Sequence, residues 1–129
     1  MLFFLLAFIT VAGFCEGVMD TLQFHFYQST FAQSPHHVFW NPTESWRNKY
    51  RDGDPSKGPR FFLSTTWLVS LTDGWHLFKL LRNIFLFLAL PAAGALTPLG
   101  WYTLLIAAAG RAMYGIGFSI AYYKVLRKP

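Results

Sequence analysis

The chain has 129 residues, enough for one domain, and 53% of them are hydrophobic while only 13% are charged, against about 25% charged in an average soluble domain. With 14 phenylalanines, that apolar surface is too large for a soluble domain of this size to hide, and a bilayer is the natural solvent for it. The net charge of +5 would suit nucleic acid, but the basic residues cluster beside apolar runs, which favours the cytoplasmic face of a membrane; the single cysteine, Cys15, excludes an internal disulfide and a Cys-rich metal site.

Residues 1–27 form the first apolar run. No Lys or Arg precedes Arg47, so the basic start of a signal peptide is missing. The VAGFC run has Phe14 where a lipoprotein box needs a small residue. The expectation is a retained membrane helix over about 3–27. Glu16 and Asp20, four residues apart, share one of its faces. Gln23 and Tyr27 continue that face and His25 points away from it. Cys15 inside an apolar helix reads as inert.

Residues 28–63 are the polar connector. His36 and His37 read as a wet loop feature. Asn41, Pro42 and Glu44 are the N-cap, N1 and N3 residues of a short helix start. That helix would put Trp46 and Tyr50 on one side and Arg47 and Arg51 beside them. Interface-loving aromatics next to cations predict an amphipathic helix lying on the membrane surface. The DGDP run at 52–55 and Gly58-Pro59 end it. The glycines here do not make a P-loop, and a calcium loop would need Gly at Lys57 and Glu at Leu63.

Residues 65–90, TTWLVSLTDGWHLFKLLRNIFLFLAL, predict the central span. On a helix advancing about 100° per residue, Thr65, Asp73, His76, Lys79 and Asn83 share a face, with Arg82 just beyond. The PAAGALTPLG run at 91–100 predicts the turn between two spans. Residues 101–125 predict the third span, with Arg111 near its middle. Ala107, Gly115 and Ser119, with Ala108 and Ala112 beside them, form a small-residue seam for helix packing. Lys124, Arg127 and Lys128 would snorkel to headgroups. The connector and the C-terminal tail are both basic, which predicts a cytoplasmic C-terminus, an external N-terminus and a multi-pass protein of the cell inner membrane. A competing layout makes 61–82 a surface helix and 83–110 one span kinked at Pro91. The predicted fold class is an all-α membrane protein with three transmembrane helices and one interfacial amphipathic helix, in a single membrane domain.

Six charges fall within the apolar segments: Glu16, Asp20 and Asp73 against Lys79, Arg82 and Arg111. One charge at the bilayer centre costs roughly 2.5–3.5 kcal/mol on insertion scales, so these groups must pair, take up protons or line a wet cavity. The expected pairs are Arg111 with Glu16 and Lys79 with Asp20, leaving Arg82 to reach the outer interface. Asp73 and His76, three residues apart, are neighbours on a helix, and the carboxylate would fix the imidazole tautomer. Asp73, His76 and Asp20 are the candidate catalytic residues. Glu16, Lys79, Arg111, Arg47, Lys49 and Arg51 are the candidate binding residues. The structural alternative is that these charges only fix which helices pair. Possible metal ligands are scattered and match no spacing signature, so no metal is assigned and the cofactor is left open.

The runs FWNPTESWRNKYRDGDPSKGPRFFLSTT, TDGWHLFK and MDTLQFHF resemble a family of short, uncharacterised bacterial integral membrane proteins, over roughly residues 13–90. The resemblance implies a bacterial membrane protein and no particular activity. Two functions are therefore expected. One is a pocket for a lipid headgroup or small polar ligand around Asp20, Asp73 and His76, hydrolytic if catalytic, with anionic headgroups drawn to Arg47, Lys49 and Arg51. The other is a non-catalytic subunit or assembly factor that binds partner helices or forms a homo-oligomer. The expected partners are the lipid bilayer and helices, with no nucleic acid.

Overall fold

The computed structural model describes residues 1–96 and 100–127. Residues 97–99 of the expected turn, and Lys128, lie outside the described residues. Three long helices make up the fold: α1 (Leu2–Phe24), α3 (Gly74–Gly94) and α4 (Tyr102–Ser119), the last extended by a π-helical turn over Ile120–Val125. A short α2 (His37–Trp40) sits in the connector. All three long helices are long and apolar enough to cross a membrane, and there is no β-strand among the described residues.

The organising helix is α1. Both α3 and α4 pack on α1 rather than on each other. The sequence of α1 suits two partners, because Ala12, Gly13, Cys15, Gly17, Val18, Thr21 and Leu22 are all buried. Leu5 meets Ala89 and Ala92 at one end, and Val18 and Leu22 meet Trp75 and Phe78 at the other. So α3 runs antiparallel to α1. Gly13 abuts Tyr114 and Gly17 abuts Phe118 and Ala121, so α4 runs parallel to α1.

The α1–α4 contact is made by backbones. A Cβ on Gly17 would lie 2.6 Å from the Phe118 carbonyl oxygen, and one on Gly13 or Gly117 would overlap the Tyr114 or Thr10 carbonyl. Lipid tails are as apolar as leucine, so spanning helices gain little by hiding apolar side chains; close packing through small residues supplies the attraction instead. The seam expected on α4 lies elsewhere. Ala107, Ala108, Ala112 and Ser119 are exposed, while Gly110 and Gly117 face α1.

The second span starts at Gly74, later than expected. Ahead of it the hydroxyl of Thr72 donates to the Val69 carbonyl (2.7 Å), Leu63 has a positive φ of 57°, and Val69–Leu71 is a single 3-10 turn. The Asp73 carboxylate then accepts the His76 backbone N–H at 2.8 Å and caps the helix. Hydroxyl and carboxylate side chains compete with the backbone for its own hydrogen bonds, which ends one conformation and starts another here. At the far end α3 runs through Pro91 to Gly94, beyond the expected stop. α3 ends at Gly94 and α4 begins at Tyr102, two helices where the competing layout had one kinked span.

The connector covers one end of the bundle. Trp40 packs on Phe31 and Phe78, with ring centroids 4.7 and 6.3 Å apart, and lies directly over Gly74, which has no room for a side chain. The predicted surface helix after Asn41 forms only a 3-10 turn over Ser45–Lys49. Asn41 Oδ1 accepts from the Thr43 N–H (3.1 Å) and hydroxyl (2.9 Å), the bond an N-cap makes, and the Ser45 N–H donates to the Asn41 carbonyl (2.8 Å), but the chain goes on from there in 3-10 geometry. Trp46 and Tyr50 still pair, edge to face at 6.4 Å. The chain folds back through Arg51 N–H to Gly58 O (3.1 Å) and Arg60 N–H to Lys49 O (2.9 Å). In that loop the hydroxyl and backbone N–H of Ser56 both donate to Asp54 and hold its carboxyl below the usual carboxylate range. Thr30 N–H donates to Leu126 O (3.0 Å), tying the end of α4 to the connector.

Replacing Gly117 by Val should separate α1 from α4. The expected loss is about 1–3 kcal/mol, as for overpacked cores, read as a lower thermal midpoint in detergent, whereas Ala112→Val on the exposed side of α4 should leave the midpoint unchanged.

Candidate functional site

The start of α3 sets the level of every polar group on it. Asp73 and Gln23 line one cavity at the connector end. From there Arg82 is eight residues along α3 from Gly74, a rise of about 12 Å, and Glu16 is seven residues back along α1, about 10 Å. The two therefore meet. An Arg82 Nη1 donates to Glu16 Oε2, with both side chains part-buried. Tyr114 of α4 donates to the same oxygen at 3.3 Å. Glu16 thus links all three long helices.

This corrects the expected pairing. Glu16 is matched by Arg82, not Arg111, because α3 starts later than 65 and its register moves with it. Lys79 does not pair with Asp20: its ammonium lies over the Trp75 ring, 4.9 Å from the centroid. Asp20 is half-buried on α1 and has no hydrogen bond or ion pair among the described residues. Arg111 is exposed and lines two cavities, one apolar and one shared with Glu16 and Ser119.

The second polar centre is at the connector end. Asp73 is 3% exposed. Both its carboxylate oxygens lie within reach of His76 Nδ1, at 2.9 and 2.8 Å. Thr72 Oγ1 approaches the carboxylate at 3.4 Å, and Asn48 Nδ2 donates to the Thr72 carbonyl at 3.0 Å. A carboxylate held against Nδ1 keeps the proton on that nitrogen and leaves Nε2 as the basic one. His76 opens onto a cavity of about 240 Å³ lined also by Gln23, Pro42, Ser45, Trp46, Lys49 and Trp75. Lys49 is the cation that the connector delivers there. Arg47 lies over the Trp46 ring at 5.6 Å, and Arg51 donates to the Pro59 carbonyl at 3.1 Å. Neither lines the cavity, and nor does Asp20. His36 and His37 are exposed.

Of the candidate residues, Glu16 joins Arg82 and Tyr114 midway along the helices and Asp73, His76 and Lys49 meet at the connector end, while Asp20, Lys79, Arg111, Arg47 and Arg51 fall in neither place. Sequence reasoning missed Tyr114, Ser45, Asn48 and the Gly13/Gly17 pair. The glycines had a legible signal in their four-residue spacing; Tyr114 had none. Among the described residues no three His, Cys, Asp or Glu side chains converge to hold a metal ion.

Fold and polar groups together define a helical protein with three segments able to cross a membrane. No family model, no curated protein and no solved structure matches the chain.

The Glu16–Arg82 pair makes a double-mutant cycle informative. Glu16→Gln and Arg82→Met should each destabilise the fold, and the double variant should lose less than their sum. The expected coupling is about 0.5–2 kcal/mol, measured by unfolding in mixed detergent. Glu16→Gln combined with Arg111→Met should show additivity.

Proposed function

We propose that this is a multi-pass protein of a bacterial inner membrane, of the short family that its connector resembles, and that its connector-end cavity binds a lipid headgroup or a small polar ligand. The connector and the C-terminal tail lie at the same end of the bundle and carry Arg47, Lys49, Arg51 and Arg127, so that end is assigned to the cytoplasm. The Trp46–Tyr50 pair in the connector would then lie at the interface as its surface-bound element.

The reading is carried by one observation: a hydrogen-bonded Asp73–His76 pair and Lys49 line the same cavity, beside two tryptophans. At about 240 Å³ the space is below the roughly 300–1,000 Å³ typical of sites that enclose a drug-sized ligand. It suits a headgroup-sized fragment with its tail left in the lipid. Lys49 supplies attraction for an anionic group. The free Nε2 of His76 supplies a base, so hydrolysis is the reaction class if the site is catalytic. A second reading, a non-catalytic subunit or assembly factor, has its own support in the exposed small-residue face of α4 at Ala108, Ala112 and Ser119.

Trp46 and Trp75 report on the cavity directly. Short-chain phosphatidylglycerol titrated into the reconstituted protein should change their fluorescence, and short-chain phosphatidylcholine should do so less. Lys49→Gln and His76→Gln should remove the response while the thermal midpoint stays put. A wild-type protein silent to both lipids would end the headgroup reading. Asp73 needs separate handling, because it also caps α3: Asp73→Ala should cost about 1–2 kcal/mol of stability, whereas Asp73→Asn keeps a capping oxygen and should cost little.

A further inference from the structure

Because α3 and α4 pack on α1 and not on each other, they leave a groove along the half of the bundle away from the connector. Its volume is about 680 Å³, within the range of ligand sites. Leu5 and Ile9 of α1 form the floor, Leu86 and Ala93 of α3 one wall, and Ile106 and Ala107 of α4 the other. At the inner end stand Arg111 and Tyr114. We propose that this groove binds the hydrocarbon chain of a long-chain carboxylate, a free fatty acid, with the carboxylate on Arg111.

The argument rests on charge complementarity at the groove's polar end. Glu16 is taken by Arg82 and by the Tyr114 hydroxyl. Arg111 is exposed and forms no ion pair among the described residues. An uncompensated guanidinium at this depth is costly in lipid, and an anion brought by a ligand offsets it. The depth selects the ligand. Arg111 is eight residues from Thr103 at the groove's other end, about 12 Å of helix, so the anion must sit well inside the apolar layer. A carboxylate is small enough to be carried there and matches a guanidinium through two parallel hydrogen bonds, whereas a phospholipid keeps its larger headgroup at the surface. The adjoining cavity of about 440 Å³, lined by Glu16, Arg111 and Ser119, gives the head room beyond the groove. This site is separate from the connector-end cavity, with which it shares no lining residue.

The test uses the full chain in phosphatidylcholine nanodiscs, with nitroxide-labelled stearate and its methyl ester as probes and the immobilised fraction read by electron spin resonance. The wild type should hold stearate about tenfold or more tighter than the ester, the loss of one charge-assisted pair. Arg111→Gln should bring stearate down to the ester's affinity and leave the ester unchanged. Arg111→Lys should keep part of the preference, and Ala107→Trp, which fills the groove, should weaken both probes. Thermal midpoints identify any variant that fails to fold, and the wild-type comparison of acid with ester decides the matter without any variant. Equal binding of acid and ester overturns the proposal. So does stearate binding that neither Arg111→Gln nor Ala107→Trp alters, including the case where Ala107→Trp instead splits an oligomer and reveals a second copy as the occupant.

Discussion

The carboxylate of Asp73 fixes where the second spanning helix begins. It accepts the His76 backbone N–H, which satisfies one of the donors that a helix start leaves open, and in lipid an open donor has no water to turn to. Once α3 starts there, its direction and rise place Arg82 opposite Glu16 and carry Ala89 and Ala92 to Leu5. The same carboxylate orients the His76 ring. Fold and candidate chemistry therefore share one side chain, and its two duties are separable only because asparagine can perform the first without the charge needed for the second.

The second constraint is that one helix serves two partners. A spanning helix that packs on both sides needs small residues on more than one face, and α1 has them at Ala12, Gly13, Cys15 and Gly17. Its contact with α4 is backbone on backbone; its contact with α3 uses larger side chains and one ion pair. Since the outer helices converge on α1 and not on each other, the space between them stays open. Glu16 is the polar group of α1 that meets partners on both outer helices, Arg82 and Tyr114.

Much of this architecture was legible in the sequence. Hydropathy located three apolar helices, and the proximity of Asp73 and His76 followed from a three-residue spacing that holds at a helix start as well as within one. What was misplaced was register. Thr65, Thr66, Ser70 and Thr72 look tolerable in an apolar span, but hydroxyls that bond their own backbone can end a helix as readily as ride on one. Extending the helix back to 65 put Arg82 at the wrong height and left Arg111 as the apparent partner of Glu16. The packing seam was misassigned for a related reason. Several small-residue rows lie on α4, and periodicity does not say which of them a neighbour will use. The connector was half legible: Asn41 caps the Thr43 N–H as its helix-start signature implies, yet one turn later the chain goes over to 3-10 geometry and folds back.

Pro91 lies inside α3, close to its end. Proline has no N–H, so the carbonyl of Phe87 loses the partner that the helical pattern would assign it. The final turn of α3, from Pro91 to Gly94, therefore lacks the bond that an N–H at position 91 would have given. Ala93, on that turn, is part of the apolar wall, while Arg82 and Asp73 lie on the unbroken portion below. The missing bond thus falls at the groove's outer end, about three turns from the ion pair and further still from the capped end.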